Sequence, residues 1–126
     1  MPLNTRVTQN VASFLSKCTL LAGSVAIGAT GAVGARTGRG FTITRTGAGL
    51  YTVTVDGVGA LPIMYAFATI VHATPYTVTV TAINPSARTI SLSCATNAAP
   101  GTPADPPNTS ALQIFAVLNN MPIGQN

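Results

Sequence analysis

FTITRTGAGLYTVTVD, residues Phe41–Asp56, is two alternating runs joined by a glycine-rich turn. In the first run Phe41, Ile43 and Arg45 share one side and Thr42, Thr44 and Thr46 the other. After Gly47-Ala48-Gly49 the alternation resumes, with Tyr51, Val53 and Val55 against Thr52, Thr54 and Asp56. A period of two with one apolar side describes a half-buried strand. The glycine pair supplies the positive φ that a short hairpin loop needs. The stretch therefore predicts a β-hairpin with threonines on its solvent side.

The same design recurs downstream. Tyr76–Ile83, YTVTVTAI, places Tyr76, Val78 and Val80 inward and Thr77, Thr79 and Thr81 outward. Asn84-Pro85-Ser86-Ala87 reads as a turn. Arg88–Ala95 follows, with Ile90, Leu92 and Cys94 inward. Ile63–Val71, IMYAFATIV, is apolar on both sides and predicts a central strand. Ala111–Leu118 is the last strand, after a loop whose four prolines (Pro100, Pro103, Pro106, Pro107) cannot donate to a ladder. Upstream, Leu20–Ile27 predicts a strand, and the Gly/Ala-rich stretch after it, through Gly40, predicts a loop. The sum is six or seven short strands without a core helix. That is an all-β fold, an antiparallel β-sandwich or a small jelly-roll-like barrel. It occupies residues 19–126 as one domain behind an N-terminal arm, residues 1–18. In the arm Val7, Val11, Phe14 and Leu15 fall at near-helical spacing.

Charge is the unusual feature of the composition. Six basic and two acidic residues make 6% of the 126-residue chain, against about 25% in ordinary globular proteins. Glutamate is absent and nineteen threonines take the outward strand positions. A chain that works alone keeps a charged surface to stay soluble; one without it is expected to be covered by partners. The six cations are Arg6, Lys17, Arg36, Arg39, Arg45 and Arg88. Three of them, Arg36, Arg39 and Arg45, lie close together and suit an acidic protein surface. With Arg88 they are also the footprint a nucleic-acid-binding small barrel would use, but no nucleic-acid motif accompanies them, and nucleic acid is not the expected partner. Residues 18–35 are uncharged but too short and too glycine-rich for a membrane span. As a signal peptide they lack an early basic region, since Lys17 comes after a long polar segment.

Chemistry has little to draw on. The carboxylates are Asp56, at a turn, and Asp105, in the proline loop. One histidine, His72, and two cysteines, Cys18 and Cys94, complete the reactive inventory. No metal-ligand spacing is present, no cofactor is expected, and a nucleophile, a base and an orienting group cannot all be assembled. Both cysteines sit in apolar runs and read as buried free thiols. The expectation is a non-enzymatic protein.

ITRTGAGLYTVTVDG, the apolar strand after it, and YTVTVTAINPSARTISLSCATNAAPGTPADPP together resemble small structural proteins of tailed bacteriophages. The resemblance covers roughly residues 40–118. It implies a virion protein, most often a capsid decoration (cement) protein on the head surface, otherwise a tail or tail-fibre component. The partners then expected are the major capsid protein and further copies of the chain, as a dimer or trimer. Arg6, Val7, Val11, Phe14 and Leu15 of the arm, with Arg36 and Arg39, are the expected contact residues. A receptor-binding tail module would instead need an exposed aromatic cluster; the chain has no Trp and three Tyr, two of them inward.

Overall fold

The computed structural model describes residues 18–56 and 63–119. They form eight strands: β1 (Cys18–Ile27), β2 (Val33–Gly38), β3 (Phe41–Gly47), β4 (Leu50–Val55), β5 (Ile63–Val71), β6 (Tyr76–Asn84), β7 (Thr89–Thr96) and β8 (Ala111–Asn119), with one 3-10 turn at Ala29–Gly31. Sheet one has the order β2-β1-β8-β5 and sheet two the order β3-β4-β7-β6. Every pairing is antiparallel. The two sheets stack as a β-sandwich and do not close into a barrel.

The core follows from the alternation. Phe41, Tyr51, Val53, Val55, Ile90, Leu92 and Cys94 project from sheet two. Leu21, Val25, Ile27, Ile63, Leu112, Ile114, Ala116 and Leu118 project from sheet one, and all of these are buried. Burying a Val, Leu, Ile or Phe side chain is worth about 1.5–3 kcal/mol, so this interior, rather than the hydroxyl-bearing exterior, holds the fold. Phe41 reaches furthest. Its ring fills the space over Gly23, where a Cβ would collide with it and come within 2.7 Å of the Thr37 carbonyl oxygen. Arg36 closes the other side: its guanidinium lies 5.4 Å from the centre of the Phe41 ring and donates to the Phe41 carbonyl.

Three sequence expectations are corrected. The stretch taken as a loop through Gly40 contains β2. All six of its residues are exposed, so it carries no alternation to read; it exists because it pairs with β1. Ile63–Val71 is an edge strand, not a central one. Its second apolar side is not buried but stands in solvent, with Tyr65 57%, Phe67 60% and Val71 53% exposed. At the first hairpin Gly49 takes the positive φ, at 69°, while Gly47 does not.

The proline loop, residues 97–110, is also more than a surface connection. Ala104 N–H donates to the Cys94 carbonyl at 2.8 Å, and Cys94 N–H donates to the Gly49 carbonyl at 2.7 Å. Pro106 is buried. The loop is thereby tied to both β7 and the β3–β4 turn.

Candidate interaction surface

The two outer faces of the sandwich differ in chemistry. On sheet two the register sets Thr42 beside Thr54 and Thr44 beside Thr52, then Thr52 beside Ser91 and Thr54 beside Thr89, and Thr79 beside Ser93. This is a hydroxyl surface, which water solvates without help, with Leu50 beside Ser93 at its margin.

Sheet one is the opposite case. Its register builds rows across β1, β8 and β5: Leu20–Val117–Tyr65, Ala22–Phe115–Phe67, Ser24–Gln113–Thr69 and Ala26–Ala111–Val71. Thr37 of β2 extends the third row beside Ser24. These rows contain no charged side chain. Phe67 and Phe115 lie with ring centres 6.4 Å apart, tilted by 37°. A groove of about 440 Å³ runs beside them, lined by Ala22, Gly23, Ser24, Thr37 and Gly38 on the low side and by the two rings, Thr69 and Gln113 on the other. The face is therefore stepped: aromatic over β8 and β5, and small over β1 and β2 apart from Leu20 at the start of β1.

The sequence-predicted contact residues divide. Arg6, Val7, Val11, Phe14 and Leu15 lie outside the described residues. Arg36 and Arg39 are both exposed. Arg36 is partly committed to Phe41, as above, and Arg39 sits in the tight turn between β2 and β3. That turn and the β6–β7 turn occupy one end of the sandwich: Asp56 N–H donates to the Gly40 carbonyl at 2.8 Å and Val55 N–H to the Arg88 carbonyl at 2.9 Å. Gly23 of β1 lies against Phe41, the first residue of β3, and β1 runs from there toward Ile27 and the opposite end. Cys18, where β1 begins, therefore lies at the end that carries Arg39.

Arg45 is not with them. It forms a two-pronged pair with Asp105 across 60 residues of sequence, Nε to Oδ1 at 2.9 Å and Nη2 to Oδ2 at 2.7 Å. Asp105 Oδ1 also accepts from Gly49 N–H at 2.7 Å. The Arg45 hydrogen bonds hold the Asp105 carboxyl below the usual carboxylate range; partial burial opposes them and the Gly49 N–H assists. Nearby, the buried Tyr51 hydroxyl donates to the Gly31 carbonyl at 2.7 Å. This group of residues locks the 3-10 turn, the β3–β4 turn and the proline loop together.

The groups considered for catalysis are thus placed. Asp105 is engaged by Arg45 and Gly49. Cys94 is a buried free thiol, pushed up to about 11 by burial and, secondarily, by the Asp105 charge, so it holds its proton at neutral pH. His72 sits in the β5–β6 turn, where its Nδ1 accepts from Thr74 N–H at 3.0 Å. Among the described residues no three His, Cys, Asp or Glu side chains are grouped to hold a metal ion, and no helix is long and apolar enough to cross a membrane.

The surface residues that sequence reasoning missed are Tyr65, Phe67 and Phe115. Ile63–Val71 is apolar on both sides and reads as wholly buried, and Ala111–Leu118 reads as a strand with no side assigned to Phe115. Comparison with protein-family models, with curated proteins and with solved structures finds no match.

Proposed function

We propose that the chain is a non-enzymatic capsid decoration (cement) protein of a tailed bacteriophage, bound to the outer shell of the head and bridging major capsid protein subunits as a homo-oligomer. The observation that carries this reading is the outer face of sheet one: large apolar side chains in rows across β1, β8 and β5 that hold no charged side chain, in a chain whose charged residues make 6% of its length. Exposed apolar area of this kind marks a surface that another molecule covers. The resemblance of the hairpin to small virion proteins supplies the setting. Arg39 and Cys18, the start of β1, share one end of the slab, which suits that end to grip an acidic shell surface.

The test is co-sedimentation of the purified chain with undecorated heads. The full chain is expected to pellet with them, and Arg39→Glu to pellet less, with the wild-type level falling as salt is raised. A chain that stays in the supernatant at low salt refutes the shell reading. A second reading, a tail module that binds host glycan, is favoured by one observation: Phe67 and Phe115 wall a groove that also offers Gln113, Thr69, Ser24 and Thr37 as hydrogen-bonding groups. Saturable glycan binding abolished by Phe67→Ala would select it.

A further inference from the structure

We infer that the outer face of sheet one is a homotypic interface, through which two copies of the chain stack face to face about a two-fold axis running along the strands between β1 and β8. Three features of the face point to a second copy rather than to an unrelated surface.

The first is the step. β8 and β5 carry the tall side chains Phe115, Phe67 and Tyr65, whereas β1 carries Ala22, Ser24 and Ala26 on this side, with Leu20 at its start the one large side chain, and β2 carries Thr37. Rotation about an axis along the strands, midway between the two central ones, exchanges these halves. The aromatic half of each copy then lies over the small half of the other. Phe115 meets the partner copy's Ala22, and Phe67, in the same row, falls at the partner's β2 edge, past Gly38. The groove of about 440 Å³ is the space into which the opposing rings descend. A face that is tall on one side and low on the other is self-complementary under this operation, as an isologous contact requires.

The second is the polar row. Thr37, Ser24, Gln113 and Thr69 run in this order across the sheet. The same rotation sets each Gln113 against the other copy's Ser24, and each Thr69 against its Thr37. The polar groups meet polar groups and the apolar rows on either side meet apolar rows. No charge has to be buried, because these rows hold none.

The third is size. Four strands spaced by about 4.8 Å and a run of seven residues at about 3.3 Å each, shorter on β2, give a face of at most roughly 19 by 23 Å. Two such corrugated faces together bury on the order of 1,000 Å², about the least that a specific contact needs. Stacked sheets pack about 10 Å apart with strands nearly aligned, and the axis along the strands preserves that alignment.

This interface stands apart from the shell reading and is tested without shells. Sedimentation equilibrium of the full chain at tens of micromolar is expected to show a dimer. Ala22→Arg, Phe115→Asp and Phe67→Asp each alter an exposed position, and each is expected to weaken the dimer at least about 30-fold while leaving the β-type circular dichroism unchanged. Thr44→Asp, on the hydroxyl face, is expected to leave the dimer intact. Mixing Ala22→Arg with Phe115→Asp is the decisive step. In the mixed pair one contact joins Arg to Asp and the other is wild type, so dimerisation is expected to return. A wild-type monomer or trimer, a dimer that survives all three substitutions, or no recovery on mixing while both variants remain folded overturns the interface. A glycan-binding monomer assigns the groove to sugar instead and equally overturns it. A dimer that does not pellet with heads refutes the shell reading alone.

Discussion

Gly49→Val is expected to cost about 3 kcal/mol or more, and to lower the melting temperature by on the order of 10–15 °C. Two causes add. The residue has φ of 69°, a left-handed conformation that a β-branched side chain strongly disfavours. Its Cβ would also be driven into the Ala104 backbone, with the carbonyl oxygen 2.7 Å away. The obstacle is main chain and cannot rotate aside. Moving it would pull Gly49 N–H from Asp105 and Ala104 N–H from the Cys94 carbonyl. Gly47→Val is the control. Gly47 has no positive φ, and its Cβ would rest 3.4 Å from the Leu50 side chain in ordinary contact, so its cost should stay below about 1 kcal/mol. Thermal unfolding of both variants checks the pair. Equal losses would mean that the turn is not held by the proline loop.

Raising the pH to 11 is expected to remove on the order of 3 kcal/mol of stability, through two buried acids. The Tyr51 phenol is pushed up to about 12, first by burial and then by the Asp105 charge. The Cys94 thiol is pushed up to about 11 by the same two causes. In the unfolded chain these groups ionise near 10 and near 8.5, as about their ordinary values require. Because the folded values are the higher ones, the native state holds protons that the unfolded state has already released. Stability is therefore complete below about pH 8 and is lost as pH rises through the window that ends at the folded values. Denaturant unfolding at pH 8 and pH 11 measures the loss. Cys94→Ala should reduce the loss at moderate alkalinity, and Tyr51→Phe should reduce it further up. A stability that does not change across this range would show that neither group is buried as described.

The parts of the fold that were legible in the sequence are those where one side of a strand meets the core and the other meets water. The two Thr-rich hairpins satisfy that condition along most of their length: the alternation survives in β3 and β4, in β6 as far as the bulge after Val80, and in β7 as far as Cys94. β2 was invisible because an edge strand with every residue exposed has nothing to alternate. β5 was misplaced for the reverse reason. Tyr65, Phe67 and Val71 are as apolar as core residues, and composition does not distinguish an apolar face turned to the core from one turned outward. The Arg45–Asp105 pair left no local trace, since its halves are 60 residues apart and meet only once the proline loop folds onto the β3–β4 turn. Grouping Arg45 with Phe41 and Ile43 by periodicity was correct about the side of the strand. What it lacked was the position: at the end of the sandwich that side opens to Asp105 instead of to the core.

Oxidative footprinting at Tyr65 measures most directly whether the outer face of sheet one is covered when the protein is at work. In the Phe67→Asp monomer Tyr65 should be oxidised freely, since more than half of its surface is exposed in the single chain. In the assembled wild-type protein it should be protected several-fold, while the buried Tyr51 is protected in both. Equal oxidation of Tyr65 in the monomer and in the assembled protein would show that the face is not covered.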